Sequence, residues 1–476
     1  MQDIVLKSRL YISPETADDE IFEKLRHLAS EYHAEDYNGE RLRIHLVLHN
    51  ASIVSSLRSN TLSSELFQDV EVYAYTQADI AAMHVLGVLG DTGCRLDRNA
   101  ITYLSDVNIH LVIFGSSPHA ESLAIFTSLL CHFPNYCRDE NLRTRITWIS
   151  DSISDFTAFR QKYKGLLDQC FVRVMMETEN GMECKTMTCP AYHGKRKDFV
   201  DIEWEFVEST SGNDAVAYKL EKWSESESQE LTIAFCYNDE NRNIDCALTL
   251  PRHVYDLSQI YVKTKSRNAI ELLKGTDKFC NVYAFGTEDE QSVDFGNLIR
   301  MAQCVNYAYC NMKEGNTPDN ISMMVPLEIP DKDVLQKLWN NPKLTIPKRW
   351  SNIYNAITLR PKMRAIGLHP EEWKDLISLP ESDIDKLAEV EHNRWCVEEL
   401  ILGYIPTTDD EHQRILNDIS ERGKLKNAFV HDDLRNFNEL GVDESGLSVV
   451  RYDYGVTKCL PLIAYTYYHT EGGIHE

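Results

Sequence analysis

The sequence contains no long hydrophobic run. Its longest apolar stretches, such as IHLVIFG (109–115) and LTIAFCY (231–237), have the length of β-strands. None approaches the roughly 18 apolar residues that a membrane-spanning helix needs. The first residues, MQDIVLKSRL, also lack the apolar segment of a signal peptide. We therefore expect no membrane span and a cytoplasmic location.

Basic residues are scarce relative to acidic ones. The chain has 49 lysines and arginines against 74 aspartates and glutamates, which gives 476 residues a formal net charge of −25. Such a chain repels nucleic-acid backbones and anionic membranes unless a local basic patch reverses the sign. The compact basic stretch at 193–199 is explained more simply as a surface loop. We expect no nucleic-acid partner.

Several motifs of enzymes and metal sites are missing. The P-loop, G-x-S-x-G and H-E-x-x-H are all absent. Cys184, Cys189 and His193 do not have the spacing of a zinc knuckle, and no fourth ligand follows them. The 13 cysteines are scattered, as is typical of a reducing compartment. We predict no metal site and no catalytic residues.

The length predicts two to four domains, and the hydrophobic patterns divide the chain into four regions. Residues 1–105 alternate strand and helix patterns, which predicts a small α/β region with a structural or dimerising role. Residues 106–295 alternate strands and helices again, and this predicts a doubly wound, mostly parallel sheet. Residues 296–380 read as a helical connector, and residues 381–476 as a mainly helical C-terminal domain.

The second region begins with the order of a Rossmann mononucleotide-binding unit. The strand at 109–115 leads into a tight turn, a helix from Ala120 and a second strand that ends at Asp151. In such units a phosphate lies at the helix N-terminus and an acid binds the ribose. We therefore predict a cofactor site for this Rossmann-like domain, with candidate residues Gly115, Ser116, Ser117, Asp151, Asn238 and Arg252.

The glycine loop of this unit departs from the dinucleotide fingerprint. G-x-G-x-x-G is replaced here by Gly115-x-Ser117-x-x-Ala120, so a side chain stands where a pyrophosphate approaches the backbone. Three alternatives stay open for this domain: NAD, another nucleotide or phosphate, and a purely structural role.

The stretch from Ser382 to Gly403 reads as one helix. We predict that Ser382 caps its N-terminus with Asp385, and that Gly403 ends it. Leu387, Val390, Val397 and Ile401 form a core-facing stripe, beside which one helix turn carries a carboxylate, an imidazole, a guanidinium and an indole. The simplest interpretation of that turn is a half-buried Trp395 with solvated charges around it.

This stretch also resembles the first half of a ryanodine-receptor (RyR) repeat. The helix of those repeats reads roughly LAE-x-x-H-x-x-W and is followed by a glycine–aromatic turn, as in LAEVEHNRWCVEELILGY (387–404). The segment FVHDDL (429–434) resembles a later part of the repeat. Upstream residues that resemble the segment preceding such repeats are Ser351, Asn352, Lys362 and Arg364.

The resemblance implies that an adenine nucleotide stacks on Trp395. Glu391 or His392 would then contact an exocyclic amine, and Arg394, Lys424 or Lys426 would contact phosphate. The predicted ligand-binding residues are Glu391, His392, Arg394, Trp395, Tyr404 and His431.

Residues 106–295 further resemble the NAD-binding TrkA-N (RCK-type) domain. The segments that carry this resemblance are IHLVIFG (109–115), AESLA (120–124), ITWISD (146–151), LTIAFCYNDE (231–240), NIDCALTLPRHVYD (243–256) and NVYAFGTEDE (281–290). Together the two resemblances imply a bacterial sensor that pairs as a homodimer, with NAD or an adenine nucleotide as the bound group. We therefore expect a non-catalytic ligand sensor or regulator that binds a nucleotide-like ligand. The alternatives are a protein-interaction or defence module and a nucleotide-consuming enzyme.

Overall fold

The computed structural model describes residues 9–12, 17–34, 41–59, 68–87, 96–178, 181–291, 295–312, 318–324 and 332–469. In chain order the strands are β1 (Arg9–Ile12), β2 (Leu42–Val47), β3 (Val70–Tyr75), β4 (Asn108–Phe114), β5 (Thr144–Ser150), β6 (Phe171–Thr178), β7 (Gly181–Thr188), β8 (Ile202–Glu208), β9 (Gln229–Phe235), β10 (Gln259–Lys263), β11 (Val282–Phe285), β12 (Ile405–Pro406) and β13 (Val430–His431).

The helices before residue 290 are α1 (Asp18–Glu31), α2 (Ala51–Ser59), α3 (Gln77–Val85), α4 (Pro118–Leu130), α5 (Asn135–Arg138), α6 (Ile153–Lys162), α7 (Lys164–Leu167), α8 (Asp214–Ser224), α9 (Glu240–Leu248), α10 (Arg252–Leu257) and α11 (Asn268–Lys274). Those after it are α12 (Phe295–Met312), α13 (Lys332–Trp339), α14 (Ile346–Ile357), α15 (Leu359–Ala365), α16 (Glu381–Ile401), α17 (Asp409–Asn417), α18 (Glu421–Asn427), α19 (Arg451–Lys458) and α20 (Leu460–Tyr468).

The central feature is an eight-stranded sheet with the order β11-β10-β9-β4-β5-β8-β6-β7. All of its neighbours are parallel except the β6–β7 pair at one edge. The predicted α/β fold with a mostly parallel sheet is thus confirmed. The strands that follow β4 in sequence, β5 to β8, lie on one side of it, and the later strands β9 to β11 lie on the other side. The strand order therefore reverses between β4 and β9.

The segment 170–228 is rich in polar residues, yet it forms regular secondary structure. It contains β6, β7 and β8 together with α8. The outer strand β7 is mostly exposed, so its sequence lacks the apolar alternation that identifies a half-buried strand. This explains why the hydrophobic pattern did not show it.

The N-terminal region forms a small parallel sheet, β1-β2-β3. Tyr73 and Tyr75 of β3 pack edge-on against Trp350 of α14, with ring centroids 6.3 and 5.3 Å apart. The N-terminal sheet therefore shares a hydrophobic core with the C-terminal helices.

The C-terminal helices pack around α12 and α16. Helix α12 contacts α13, α14, α19 and α20, and α16 contacts α4, α7, α14 and α19. The chain breaks between α14 and α15 at Thr358, so Pro361 lies in the first turn of α15, where proline is tolerated. In the described part of the chain, no helix is both long and apolar enough to cross a membrane.

Helix α16 begins two residues earlier than predicted, and its cap is different. Pro380 is the N-cap residue, without a side-chain capping bond, so the prediction that Ser382 caps the helix is wrong. Pro380 has φ −59° and ψ 142°, a conformation outside the helix, and the helix begins directly after it. Gly403 has the left-handed conformation (φ +93°) that ends the helix.

Candidate ligand-binding site

A cavity of about 570 Å³ lies among α12, the start of α14, the second half of α16, α18 and the segment that leads into α19. Four of the predicted ligand-binding residues line it: His392, Trp395, Tyr404 and His431. Ser351 and Asn352 from α14 also contribute to its wall. Residues far apart in sequence thus converge on one cavity.

Aromatic rings form one part of the cavity wall. The half-buried indole of Trp395 meets the ring of His431 edge-on, with centroids 5.1 Å apart and planes at 78°. Tyr404 approaches the same histidine ring at 5.9 Å and 73°. Tyr309 and Tyr452 stack with centroids 5.9 Å apart elsewhere in the lining. Such a wall can bind a flat ring by stacking or edge contacts.

His431 has a neutral ring whose protonation is set by its surroundings. Its Nδ1 accepts the backbone N–H of Asp433 at 3.2 Å. Burial, together with the positive charges of Lys426 and Arg422, holds the pKa of His431 well below its ordinary value. The ring is therefore neutral, and its proton must lie on Nε2 because Nδ1 is an acceptor. That nitrogen is buried and has no hydrogen-bond partner among the described residues.

His392 is held as a cation instead. Its Nε2 donates to the backbone carbonyl of Arg435 at 2.8 Å, and its Nδ1 lies 3.5 Å from Asp453 Oδ2. Burial opposes the charge, but contacts with Cys396 and the Asp453 carboxylate outweigh it and place the pKa of His392 well above its ordinary value. Both ring nitrogens of His392 thus have partners within the protein.

Cys396, His392 and Asp453 are arranged in the order of a nucleophile, a base and an orienting acid. Cys396 Sγ lies 3.3 Å from His392 Nε2. However, the thiol is fully buried and does not belong to the cavity lining, and burial raises its pKa. Because the buried thiol has no access to the cavity, it is not placed to attack a molecule bound there.

Two cations of α18 line the cavity in different states. Arg422 pairs with Asp433 and also donates to the backbone carbonyl of Val442 at 2.8 Å. Lys426 is exposed and has no ion-pair partner in the described part of the chain. Lys424, which we also predicted as a phosphate contact, pairs with Glu421 and lies outside the cavity lining. Lys426 is therefore the lysine of α18 placed to meet an anionic group.

Glu391 and Arg394 belong to a buried network that lies outside the cavity lining. Arg394 contacts both Glu391 and Glu398 at 2.8 Å, and Lys362 Nζ lies 2.6 Å from Glu391 Oε2. Ser351, which lines the cavity, donates to Glu398 at 2.9 Å. The hydrogen bond from Ser351 therefore connects this network to the cavity wall. The charged groups of the network are paired with one another.

In the large sheet, the candidate cofactor residues Gly115, Ser116, Ser117, Asp151 and Asn238 follow the carboxyl ends of β4, β5 and β9. Gly115 has φ +91°, and a Cβ on it would lie 2.8 Å from Tyr237. Ser116 is exposed, and Ser117 caps α4 by accepting the N–H of Ala120. The space directly above the glycine is thus occupied by a tyrosine.

A second group of side chains covers the same edge of the sheet. Arg242 lies over the Tyr237 ring at 3.6 Å from its centroid and pairs with Asp151 at 2.8 Å. Asn238 is exposed beside it. Arg252 begins α10, which leads into the amino end of β10, so the topology separates it from this group. The structure thus brings the candidates together with the exception of Arg252.

The sequence did not single out Glu399, Arg422, Asp433 or Tyr452, which all line the cavity. Glu399 had a usable signal, because it lies one helical turn after Trp395 on the same face. The other three come from segments whose approach depends on the tertiary fold. Among the described residues, no group of three or more histidine, cysteine or acidic side chains could hold a metal ion.

Comparison with known proteins adds no assignment, since no family model, no curated protein and no solved structure matches this chain.

Proposed function

We propose that this chain is a non-catalytic sensor or regulator that binds a nucleotide, or a signal derived from one, in the cavity around Trp395. The proposal rests on the convergence of Trp395, Tyr404 and His431 on one cavity, together with Lys426, which has no ion-pair partner among the described residues. Its volume of about 570 Å³ lies in the range of roughly 300–1,000 Å³ that small-molecule sites occupy.

Each part of a nucleotide has a chemical counterpart in the lining. A base would stack on the indole of Trp395, which in nucleic-acid complexes is worth about 1–3 kcal/mol per base. The ring of His431, which meets the indole edge-on, would contact the edge of the bound base. Lys426 would meet a phosphate at the exposed side of the cavity, where an ammonium stays solvated before binding.

The position of the cavity suggests how binding would be transmitted. Its walls come from α12, α14, α16 and α18, and α14 also carries Trp350, which packs on the N-terminal sheet. A ligand that binds one arrangement of these helices more tightly would shift the population towards it. We propose a homodimer as the assembly in which this shift acts, with an RyR-type C-terminal module and a Rossmann-type sheet domain.

A dinucleotide at the large sheet is a weaker proposal. Tyr237 occupies the space above Gly115, and Arg242 pairs with Asp151, the residue we predicted to bind a ribose. Binding there would require both side chains to move. An enzymatic role has less support, because the thiol of Cys396, which lies 3.3 Å from His392 Nε2, is buried away from the cavity.

The proposal is tested by the thermal shift of the purified chain against a panel of nucleotides. A ligand at 100 times its dissociation constant should stabilise the protein by about 2.7 kcal/mol. The wild type, Trp395→Ala and Asp151→Ala are compared. We expect a shift that is lost in Trp395→Ala and kept in Asp151→Ala. The reverse result would place the ligand at the large sheet, and no shift with any nucleotide would favour a protein-interaction role.

A further inference from the structure

Glu399 is a carboxyl group without a partner in the cavity wall. It lies four residues after Trp395 on α16, so both side chains project from the same face of the helix. Its side chain is half-buried and lines the cavity. No hydrogen bond or ion pair joins its carboxyl group to any described residue. A carboxyl group in this position is available to a ligand.

On α16 itself, Glu399 is flanked by Glu398 and lies near Arg394. Burial, followed by repulsion from Glu398, raises the pKa of Glu399 to about 7. Arg394 acts in the opposite direction but is committed to its own two glutamates. The carboxyl group therefore exchanges its proton near neutral pH.

Groups on the other elements around the cavity also face Glu399. Lys426 of α18 favours the ionised carboxylate, while Asp433, after β13, disfavours it. The phenol of Tyr404 lies close enough for its own pKa to be raised, chiefly by burial and then by Glu399. Lys348 of α14 and Arg422 of α18 also line the cavity.

A base stacked on Trp395 would present its edge to a neighbour one helical turn away. The edge of adenine carries an N–H donor beside a ring-nitrogen acceptor. A protonated carboxyl group is both donor and acceptor and matches that edge with two hydrogen bonds. An ionised carboxylate only accepts, so it leaves the adenine ring nitrogen facing a negative oxygen. Guanine carries two adjacent N–H donors and a carbonyl acceptor. It can therefore make two hydrogen bonds with either the ionised or the protonated carboxyl group.

We infer that Glu399 reads the edge of the bound purine and makes the binding of adenine, but not of guanine, depend on a proton. The inference rests on the proposed function, since it assumes that the cavity binds a nucleotide. It names the ligand class as a purine nucleotide and assigns the discrimination to one side chain.

The test compares the affinities of adenosine and guanosine monophosphate by calorimetry at about pH 6 and about pH 8. The ratio of the two affinities cancels the titration of the phosphate, which both ligands share. With one linked proton, the adenosine-to-guanosine ratio should fall about tenfold across this interval. In Glu399→Gln, whose amide is a permanent donor and acceptor, the ratio should stay at its low-pH value.

Glu444→Gln is the matched control, because Glu444 is an exposed carboxylate in the lining of the same cavity. It should keep the tenfold change of the wild type. A ratio that is independent of pH in the wild type, or that changes equally in Glu399→Gln, would overturn the inference and leave the proposed function standing. If neither purine nucleotide binds, the inference is overturned, and if no nucleotide of any kind binds, the proposed function fails with it.

Discussion

Arg394 holds Glu391 in an ion pair in the protein interior. Arg394 Nη2 lies 2.8 Å from Glu391 Oε1, and each side chain is about 1% exposed. Lys362 from α15 contacts the other carboxylate oxygen at 2.6 Å. The three charges join α15 to α16 directly behind the turn that carries Trp395, so they position the helix face that lines the cavity.

Replacing Glu391 with glutamine should strongly destabilise the protein. The variant leaves Lys362 and Arg394 buried with less negative charge to balance them, and removing one partner of a buried pair typically costs about 3–5 kcal/mol. Chemical denaturation at pH 7 measures the free energy of unfolding. Glu444→Gln, the same change at an exposed carboxylate, should leave it nearly unchanged. Equal stabilities of the two variants would contradict the structural role of the network.

The same pair has a defined pH dependence. Burial by itself opposes ionisation, but Arg394 and Lys362 outweigh it and lower the pKa of Glu391 from 4.5 to about 2. Because the pKa is lower in the folded state, the carboxylate stabilises the fold fully above about pH 4.5 and ceases to do so as the pH falls towards 2. The shift corresponds to about 3 kcal/mol. The difference in stability between wild type and Glu391→Gln should therefore shrink across this interval.

At the large sheet, Gly115→Ala should destabilise the chain by more than a positive φ alone explains. Gly194→Ala is the control, since Gly194 has φ +76° and nothing within 4 Å of an added Cβ. It should cost about 1–2 kcal/mol through the left-handed backbone. Gly115→Ala adds the contact with Tyr237 at 2.8 Å, and overpacking of this kind costs about 1–3 kcal/mol more. Thermal denaturation of both variants measures the difference, and equal losses would contradict close packing above the glycine.

Lys426→Gln should weaken the binding of a nucleotide monophosphate about tenfold without changing stability. Its ammonium lines the cavity, is exposed and has no ion-pair partner in the described chain. A charge-assisted contact with phosphate at the edge of a cavity is worth about 1.4 kcal/mol. Lys424→Gln, on the same helix but outside the lining, should bind as the wild type does. Equal affinities of the two variants would exclude a phosphate contact at Lys426.

The sequence predicted the large sheet well and the charges of α16 poorly. Buried parallel strands such as β4 and β9 are continuous apolar runs, which periodicity identifies directly. On α16, helical spacing showed that Glu391, Arg394 and Glu398 are neighbours. It did not show that packing on several sides would bury all three, because that depends on α14, α15 and α19.

The candidate site shows the same division. Trp395 and Tyr404 could be named from one local segment, and His431 from a second. Lys426 and Lys424 are equivalent in sequence, two residues apart on a charged helix, and only the orientation of α18 separates the cavity-lining lysine from the solvated one. Glu399 looks like an ordinary surface glutamate until the cavity beside it is known.

The most direct test of the account is calorimetric titration of the wild type, Trp395→Ala and Trp373→Ala with purine nucleotides. Trp373 packs against Tyr465 at 5.2 Å, outside the cavity, and controls for the loss of an indole elsewhere in the helical region. We expect one nucleotide per chain for the wild type and for Trp373→Ala. In Trp395→Ala, the lost stacking of about 1–3 kcal/mol should weaken binding roughly fivefold to 150-fold. A folded Trp395→Ala variant that binds as tightly as the wild type would contradict a nucleotide site at Trp395.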